Sequence, residues 1–212
     1  MIKEGEGKVA PAPVSVCLAM DELRLLLREA EEREKHRGYS NRSDSWGRGM
    51  TGTISGPIAE PFGGRIENSV MPAFRGFAGE WATACYLNGR LGLNLGIDLV
   101  KRRYGDGDID LCIYGLKIQI KTRKLNLGGR NLVRFRSERG VEQILKADVY
   151  VFAQWDLSTV AILYGCVSRA EMLGWKQVQE RQGHWNYDGL ESDLLPMSRL
   201  VTELKSRREQ EG

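Results

Sequence analysis

The chain has 212 residues, of which 42% are hydrophobic and 28% charged, and its formal net charge is +3. This composition is typical of a soluble globular protein, and the length fits one domain with appendages. No apolar run approaches the roughly 18 residues needed to cross a bilayer, and the first residues lack the apolar core of a signal peptide, so we expect a cytoplasmic protein with no membrane partner.

Cysteine and histidine usage argues against a zinc centre. The four cysteines include no C-x-x-C pair, and only two histidines are present, so a Cys/His ligand set is not expected. Three of the cysteines stand in apolar surroundings, which predicts reduced, buried thiols. The sequence contains neither a Walker A loop nor a G-x-G-x-x-G turn between a strand and a helix, so we expect no nucleotide cofactor.

The first 72 residues divide into a tail, a helix and a loop. Residues 1–16 are rich in Gly, Lys, Glu and Ala-Pro, which predicts a flexible tail. Leucines among Glu and Arg over residues 18–37 predict an amphipathic helix. Residues 38–72 are poor in apolar residues and rich in Gly, Ser and Arg, so we assign residues 17–72 to the N-terminal helix and a long flap whose arginines and aromatics suit a nucleic-acid contact.

The core is predicted over residues 73–204. Its first helix opens at Pro72 and runs for about 15 residues to Gly89, because Pro near a first turn and Gly after a last turn are common at helix ends. Glu80 lies in this helix, off the centre of its apolar side. Its side chain either caps the helix or faces solvent, or it reaches a site in the core. The sequence pattern is compatible with both positions.

A predicted hairpin follows, and it contains the residues of this chain that are most typical of a catalytic site. Asp110–Tyr114 is predicted as one strand and Lys117–Thr122 as the return strand, joined by a tight connection at Gly115-Leu116. Side chains alternate along a strand, so Gln119 and Lys121 point to the same side, close to Asp110. Other residues of the hairpin point into a core: Leu116, Ile118 and Ile120.

A carboxylate and a second oxygen ligand can hold Mg²⁺, and a neighbouring lysine can orient water or stabilise charge on a phosphoryl group. Asp110, an eight-residue gap and Gln119-x-Lys121 resemble the PD-(D/E)xK nuclease superfamily, which has the restriction-endonuclease-like fold. In that family an acid ends one strand, an acid-x-Lys lies on the next, and a preceding helix often carries a glutamate, which Glu80 matches. The resemblance covers roughly residues 74–165.

The resemblance implies a catalytic set of Glu80, Asp110, Gln119 and Lys121 and a Mg²⁺ cofactor for which Mn²⁺ can substitute. The implied metal ligands are Asp110, Gln119, Glu80 and the backbone carbonyl of Ile120. Two positions depart from the family pattern: Ile109 stands where a proline precedes the acid, and neutral Gln119 replaces the second acid. Asp108 is either an auxiliary ligand or a solvated turn residue. An EF-hand is excluded because Leu111 and Lys117 occupy its required Gly and Glu positions.

Basic residues outnumber acidic ones between positions 101 and 139, around the proposed site. A phosphate backbone is the natural partner of such a patch, whereas the alternative is a solvated sheet edge protected by lysines. The predicted partner is DNA. Its predicted contacts are Arg123, Lys124, Arg130, Arg134 and Arg136.

The rest of the chain is predicted to alternate strands with short helices. Ser168, with Glu171 three residues later, forms a capping-box pattern at one helix start. The predicted elements are a strand over 131–136, a short helix over 140–146, a central buried strand over 147–155, its partner strand over 160–167, a final amphipathic helix over 194–204 and a charged tail over 205–212.

The predicted fold class is α/β: a restriction-endonuclease-like core with a mixed central sheet of about five strands, flanked on both faces by helices, plus the N-terminal helix and the flap. The predicted function is a Mg²⁺-dependent deoxyribonuclease. Two alternatives stay open, namely a non-catalytic nucleic-acid-binding or assembly module with the same fold, and an RNA-directed nuclease. A homodimer is expected if two strands are to be cut, because two strands need two sites.

Overall fold

A computed structural model describes residues 9–40, 53–56, 59–97, 109–124, 130–136, 145–179 and 184–211, apart from the side chains of residues 36–40 and 136. Within these ranges the fold is mixed α/β, as predicted, and its centre is a five-stranded sheet. The strands of this sheet are β1 (Val14–Cys17), β4 (Leu111–Ile113), β5 (Leu116–Arg123), β7 (Val149–Gln154) and β8 (Val160–Ser168), in the order β1-β8-β7-β5-β4.

The sheet is mixed because β5 and β7 run parallel, whereas the other neighbours pair antiparallel. The predicted central strand is confirmed: β7 has two strands on one side and two on the other. Val151 and Ala153 of β7 face one core, and Tyr150 and Phe152 face another. Burial on both faces explains the near-continuous apolar sequence of this strand.

The long helices cover one face of the sheet. They are α1 (Met20–Ser40), α2 (Met71–Leu91) and α4 (Met197–Glu211). Their apolar sides join Ile118, Ile120 and Leu163 in the larger hydrophobic core. The spacing of these apolar residues at three and four positions is what buries one side of each helix.

The other face carries a second, three-stranded sheet, which corrects the expectation of helices on both faces. Its strands are β6 (Arg130–Arg136), β9 (Lys176–Gln179) and β10 (Trp185–Leu190), in the order β6-β10-β9. Val133 and Tyr187 of this sheet pack with Tyr150 and Phe152 of β7. The short helix α3 (Arg169–Met172) adds Met172 and begins with the predicted capping box at Ser168.

The flexible tail predicted for residues 1–16 is wrong at its end. Val14–Cys17 form β1, whose register pairs Val14 with Leu163 of β8. The alternation of Val and small polar residues suits a short strand with one buried side, and four residues are too few to separate from a Pro-rich tail by pattern. Residues 1–8 lie outside the described part of the chain.

The flap predicted for residues 38–72 is corrected where it is described. β2 (Thr53–Ser55) pairs with β3 (Arg65–Glu67), and a 3₁₀ turn spans Glu60–Phe62. Four of its apolar residues are buried: Ala59, Phe62, Ile66 and Val70. The Phe62 ring lies 5.5 Å from that of Phe74 in α2, so this segment is part of the larger core.

The ends of two helices also differ from prediction. α2 is longer than expected and ends at Leu91; Gly92 follows it with a φ of 65° and donates its N–H to the Asn88 carbonyl, which forms a left-handed cap. The charged tail predicted for 205–212 is helical to Glu211, because Arg207 pairs with Glu203 one turn earlier and Arg208 donates to the Leu91 carbonyl. The helix predicted over 140–146 lies mostly outside the described residues, and residues 145 and 146 are not helical.

The cysteines are less buried than predicted. All four are free thiols; Cys17 and Cys112 are exposed, on the two outer strands of the sheet, and Cys166 is buried. Burial raises the pKa of the Cys166 thiol to about 11.

Among the described residues, no helix is long and apolar enough to cross a membrane.

Substituting Ile66→Ala tests whether the 53–70 segment belongs to the core. Ile66 is 1% exposed, and truncating a buried isoleucine costs about 2–5 kcal/mol, so we expect a clearly lower melting temperature in thermal unfolding. Glu67→Ala, at the exposed neighbouring position, is the control and should change little. Equal melting temperatures for both variants would restore the interpretation as a flap.

Candidate active site

The predicted hairpin is present, with its turn one residue earlier than expected. Ile113 of β4 pairs with Leu116 of β5, so Tyr114 and Gly115 form the two-residue connection. Their φ angles are 47° and 69°, and positive φ at both central positions is what a type I′ hairpin turn requires. The turn fixes the register and therefore the place of Asp110 relative to β5.

Asp110 lies at the start of β4 and is bonded to β5 through its backbone and its side chain. Its N–H donates to the Ile118 carbonyl at 2.9 Å, and its Oδ2 accepts from the Ile120 N–H at 2.5 Å. A carboxylate that accepts a backbone N–H is held firmly in place. Asp110 is therefore brought to the middle of β5, as the sequence predicted.

Gln119 and Lys121 share one face of β5, also as predicted. In the parallel pairing they stand beside Tyr150 and Phe152 of β7, so they face the second sheet and not α2. Gln119 is only 5% exposed, whereas Lys121 is partly exposed. The alternation sends Ile118 and Ile120 into the helix-covered core.

The edge of β5 opposite β7 is covered by β4 only from Leu116 to Ile118. Within the described ranges, no strand pairs with that edge over residues 119–123. Because Ile120 donates its N–H to Asp110 on this edge, and both main-chain polar groups of a strand residue point to the same side, the Ile120 carbonyl also points to the Asp110 side. The predicted carbonyl ligand therefore has a suitable direction.

Glu80 lies on an inward-facing side of α2. Thr83, Ala84 and Leu87, which follow it on the same side of the helix, are all buried. One turn earlier, Gly76 has no side chain, and Glu80 Oε1 lies 3.9 Å from the position that a Cβ of Gly76 would take. Helical side chains lean toward the N-terminus, so the carboxylate of the half-buried Glu80 lies at ordinary van der Waals distance from Gly76.

Gly79 sets the distance between α2 and β5. A Cβ at Gly79 would lie 1.8 Å from Thr122 Oγ1 and 2.9 Å from Thr122 Cβ, closer than such atoms can approach. The helix backbone therefore rests directly on the strand, one residue from Glu80 and one residue from Lys121. Sequence reasoning missed Gly79 and Thr122; a helical glycine just before a glutamate was the available signal, because Gly in a helix interior is unfavourable without a packing reason.

The predicted ligands carry the oxygen donors that suit a hard divalent cation, but the structure places them on different faces of β5: Glu80 lies on α2, whereas Gln119 and Lys121 face the second sheet. Glu80 and Asp110 offer carboxylate oxygens, and Gln119 and Ile120 offer carbonyl oxygens, which are the ligands that Mg²⁺ prefers. None of Glu80, Asp110, Gln119 and Lys121 is without an interaction partner. Across the described ranges no group of three or more His, Cys, Asp or Glu could hold a metal ion; Gln119 stands where a further acid would add charge. Asp108 lies outside the described residues.

Arg123, predicted to contact nucleic acid, is engaged within the protein. Its Nη2 pairs with Glu191, its Nη1 donates to the Arg130 carbonyl at 3.1 Å, and its guanidinium lies 4.4 Å above the Tyr164 ring. The side chain is only 12% exposed. These contacts argue against a phosphate contact and assign Arg123 to holding the end of β5 against the second sheet.

The other predicted nucleic-acid contacts differ in availability. Lys124 follows β5 and is exposed. Arg130 donates to Asp188 at 2.9 Å and keeps 49% of its side chain exposed. Arg134 is partly buried, with its Nε shielded from solvent. The side chain of Arg136 lies outside the described part, so Lys124 and Arg130 are the better-placed cations.

No family model, no curated protein and no solved structure matches this chain.

Substituting Gly79→Ala should force α2 away from β5. Overpacking of this kind costs about 1–3 kcal/mol, measured as a loss of unfolding free energy in denaturant. Thr122→Gly removes the atoms that the new methyl group meets, so the cost of Gly79→Ala should be smaller in that background, with a coupling of about 0.5–3 kcal/mol in the double-mutant cycle.

The matched control is Gly89→Ala in the same helix, where an added Cβ would have nothing within 4 Å. Alanine is the better helix former, so this variant should be about 0.5–1 kcal/mol more stable. If Gly79→Ala is as stable as Gly89→Ala, the direct contact between α2 and β5 is not what spaces them.

Proposed function

We propose that the protein is a Mg²⁺-dependent nuclease of the PD-(D/E)xK type that hydrolyses phosphodiester bonds in DNA, with Mn²⁺ as a substitute cofactor and a restriction-endonuclease-like core. The observation that carries the proposal is the approach of two elements, β4 and α2, to residues 118–122 of β5. Asp110 bonds to Ile118 and Ile120, and α2 contacts Thr122 beside Glu80. Residues far apart in the chain thus meet at one strand that carries the lysine.

Asp110 is the proposed principal metal ligand. Ionised carboxylates have about four lone-pair sites on two oxygens, so accepting the Ile120 N–H leaves the group able to accept more. The backbone hydrogen bond fixes its orientation before any ligand binds, as a preorganised site requires. When bound, Mg²⁺ would polarise a phosphoryl oxygen and so make phosphorus more open to attack.

Lys121 is the proposed charge-stabilising residue. Its ammonium has three donors and shares a strand face with the Gln119 amide, so it can neutralise negative charge that builds on the phosphoryl oxygens. Glu80, at a buried helical stripe, is the proposed further ligand or the base that orients water. Gln119 contributes an oxygen but no charge, which should make metal binding weaker than with an acid there.

The proposed partner is the phosphate backbone, reached through the exposed Lys124 beyond the end of β5. Neutralising each phosphate releases counterions, so such contacts make binding depend on salt. A homodimer and a cytoplasmic location stay predictions.

Substituting Lys121→Ala should reduce cleavage about 100-fold or more while leaving DNA affinity nearly unchanged, because the residue acts on charge in the transition state. Cleavage of supercoiled plasmid, linear duplex, single-stranded DNA, a four-way junction and RNA would be followed with Mg²⁺ and separately with Mn²⁺, and affinity measured by fluorescence anisotropy without metal.

The matched variant is Asp110→Asn. Asparagine can still accept the Ile120 N–H through its carbonyl, so the fold should persist while the metal ligand loses its charge. If the wild type cleaves and both Lys121→Ala and Asp110→Asn cleave equally well, the proposed site is wrong. Cleavage of RNA in preference to every DNA would change the substrate class.

The salt dependence of DNA binding should distinguish the proposed phosphate contact of Lys124 from the internal, structural role of Arg123. Lys124→Ala should lower the slope of log K against log salt by about one. Arg123→Ala should leave the slope unchanged but lower the melting temperature, since it breaks the contacts to Glu191 and Tyr164. Lys205→Ala, exposed on α4, is the control. A reduced slope for Arg123→Ala would show that it does contact phosphate.

A second candidate function is a nucleic-acid-binding or assembly module that keeps this fold without catalysis. The neutral, nearly buried Gln119 favours it, since this position lacks the charge of an acid ligand. Titration calorimetry with Mn²⁺ and Mg²⁺ distinguishes the two. Heat of binding that disappears in Asp110→Asn supports the nuclease; DNA binding with no metal binding and no cleavage supports the module.

A further inference from the structure

The outer edge of β1 presents main-chain groups that no strand of the described ranges pairs with. β1 is the last strand of the five-stranded sheet, and β8 is its neighbour on the inner side. The Leu18 N–H donates to the Thr159 carbonyl beside β8 at 2.8 Å. Because hydrogen-bonded positions alternate along an antiparallel pair, Val16 also points its main-chain groups to β8, whereas Ser15 and Cys17 point theirs outward.

The sequence around β1 lacks the charges that usually protect such an edge. Natural edge strands carry charged side chains that hinder pairing with another chain, as Arg130 and Arg134 do on β6 and Lys176 does on β9. Residues 9–20 contain no charged residue in a chain that is 28% charged, and their prolines precede the strand. Pairing a strand with its own copy places like residues together, so an uncharged edge suits a second copy.

Apolar surface lies beside the same edge. Val160 of β8, which pairs with Cys17, is 37% exposed, and Val9, ahead of β1, is 89% exposed. Ser15 and Cys17 are exposed as well, so the chain leaves room for another strand at this edge. Removing apolar side chains from water on association is favourable.

We propose that β1 is a homodimer interface, in which two copies of the chain pair their β1 strands antiparallel around a twofold axis at Val16. In this register Ser15 lies opposite Cys17 of the partner subunit, and each such pair exchanges two hydrogen bonds. The four bonds use every outward donor and acceptor of both strands. A register centred on Ser15 would instead bring Cys17 opposite a proline, Pro13, which has no N–H to donate.

The pairing joins the two five-stranded sheets into one continuous sheet. Val16, which packs against the larger core, would meet Val16 of the partner subunit on the axis, and β-branched cross-strand pairs stabilise a sheet. The inference goes beyond the proposed function and does not depend on it.

The first test measures the mass of the full chain, 23.9 kDa per copy, by light scattering at several protein concentrations. Wild type should approach twice this mass as the concentration rises. Ser15→Pro removes an outward N–H and none that pairs with β8, so it should stay folded and associate at least tenfold more weakly. Cys17→Lys should do the same by placing like charges near the axis, whereas Ser206→Lys, at an exposed position of α4, should dimerise as the wild type does.

Oxidative cross-linking tests the register. In a background with Cys17→Ser and Cys112→Ser, Val16→Cys should form a disulfide-linked dimer, because facing residues on the axis have Cα atoms about 4.5 Å apart. Ser15→Cys in the same background is the matched control. Its two copies would lie about 8 Å apart, which is too far for a disulfide.

A wild type that stays monomeric at every concentration would overturn the inference. So would a dimer that Ser15→Pro and Cys17→Lys both leave unchanged, because another surface would then hold it. Cross-linking through Ser15→Cys and not through Val16→Cys would reject the pairing around Val16. These outcomes concern association alone, and cleavage of nucleic acid tests the nuclease proposal separately.

Discussion

The edge of β5 that β4 covers only in part, within the described ranges, is the constraint on which the rest of the candidate site depends. From Ile118 to Arg123, one edge of the strand pairs with β7, whereas β4 stops opposite Ile118 on the other edge. Main-chain groups beyond that point still need partners, and the Asp110 carboxylate supplies one by accepting the Ile120 N–H. The acid proposed to bind metal is thus also a structural cap of the strand, so backbone hydrogen bonding fixes its position.

The two faces of β5 are packed by different means. Toward the helices, Ile118 and Ile120 lie in an apolar core, and Gly79 lets the helix backbone touch the strand. Toward the second sheet the contacts are polar: Arg123 holds Glu191 and covers the Tyr164 ring, whose hydroxyl donates to Gln154. Such charge-assisted contacts fix geometry closely, so they hold the end of β5 against the second sheet.

Local signals predicted the parts of the fold that form from nearby residues: the β4–β5 hairpin, the buried β7 and the capping box at Ser168. They did not predict which sheet β6 joins. The alternation of Val133 and Phe135 with polar residues identifies a strand but does not identify its neighbour, and the neighbour, which pairs Tyr187 with Val133, is distant in the chain. The core role of residues 59–70 was missed because single apolar residues such as Phe62 and Ile66 are separated by Gly and Arg.

The candidate site was predicted in the same uneven way. Asp110, Gln119 and Lys121 lie within one hairpin, so strand alternation and a two-residue turn determine how they are arranged. The burial of Gln119 and the internal contacts of Arg123 depend on the second sheet, which lies in a distant part of the chain. The distribution of charge along the sequence predicted that Arg123 is a surface cation. In the structure its guanidinium is paired with Glu191 and packed on Tyr164.

The compactness of the hairpin has a consequence for how the site assembles during folding. Positions 110–121 are joined by a two-residue turn, and isolated hairpins close in about 1–10 μs. The parallel pairing of β5 with β7 and the docking of α2 require longer loops to close first, which is slower. We therefore expect a refolding chain to bring Asp110 next to Ile120 early and to add Glu80 last, so that the residues proposed to bind metal come together in two separate steps.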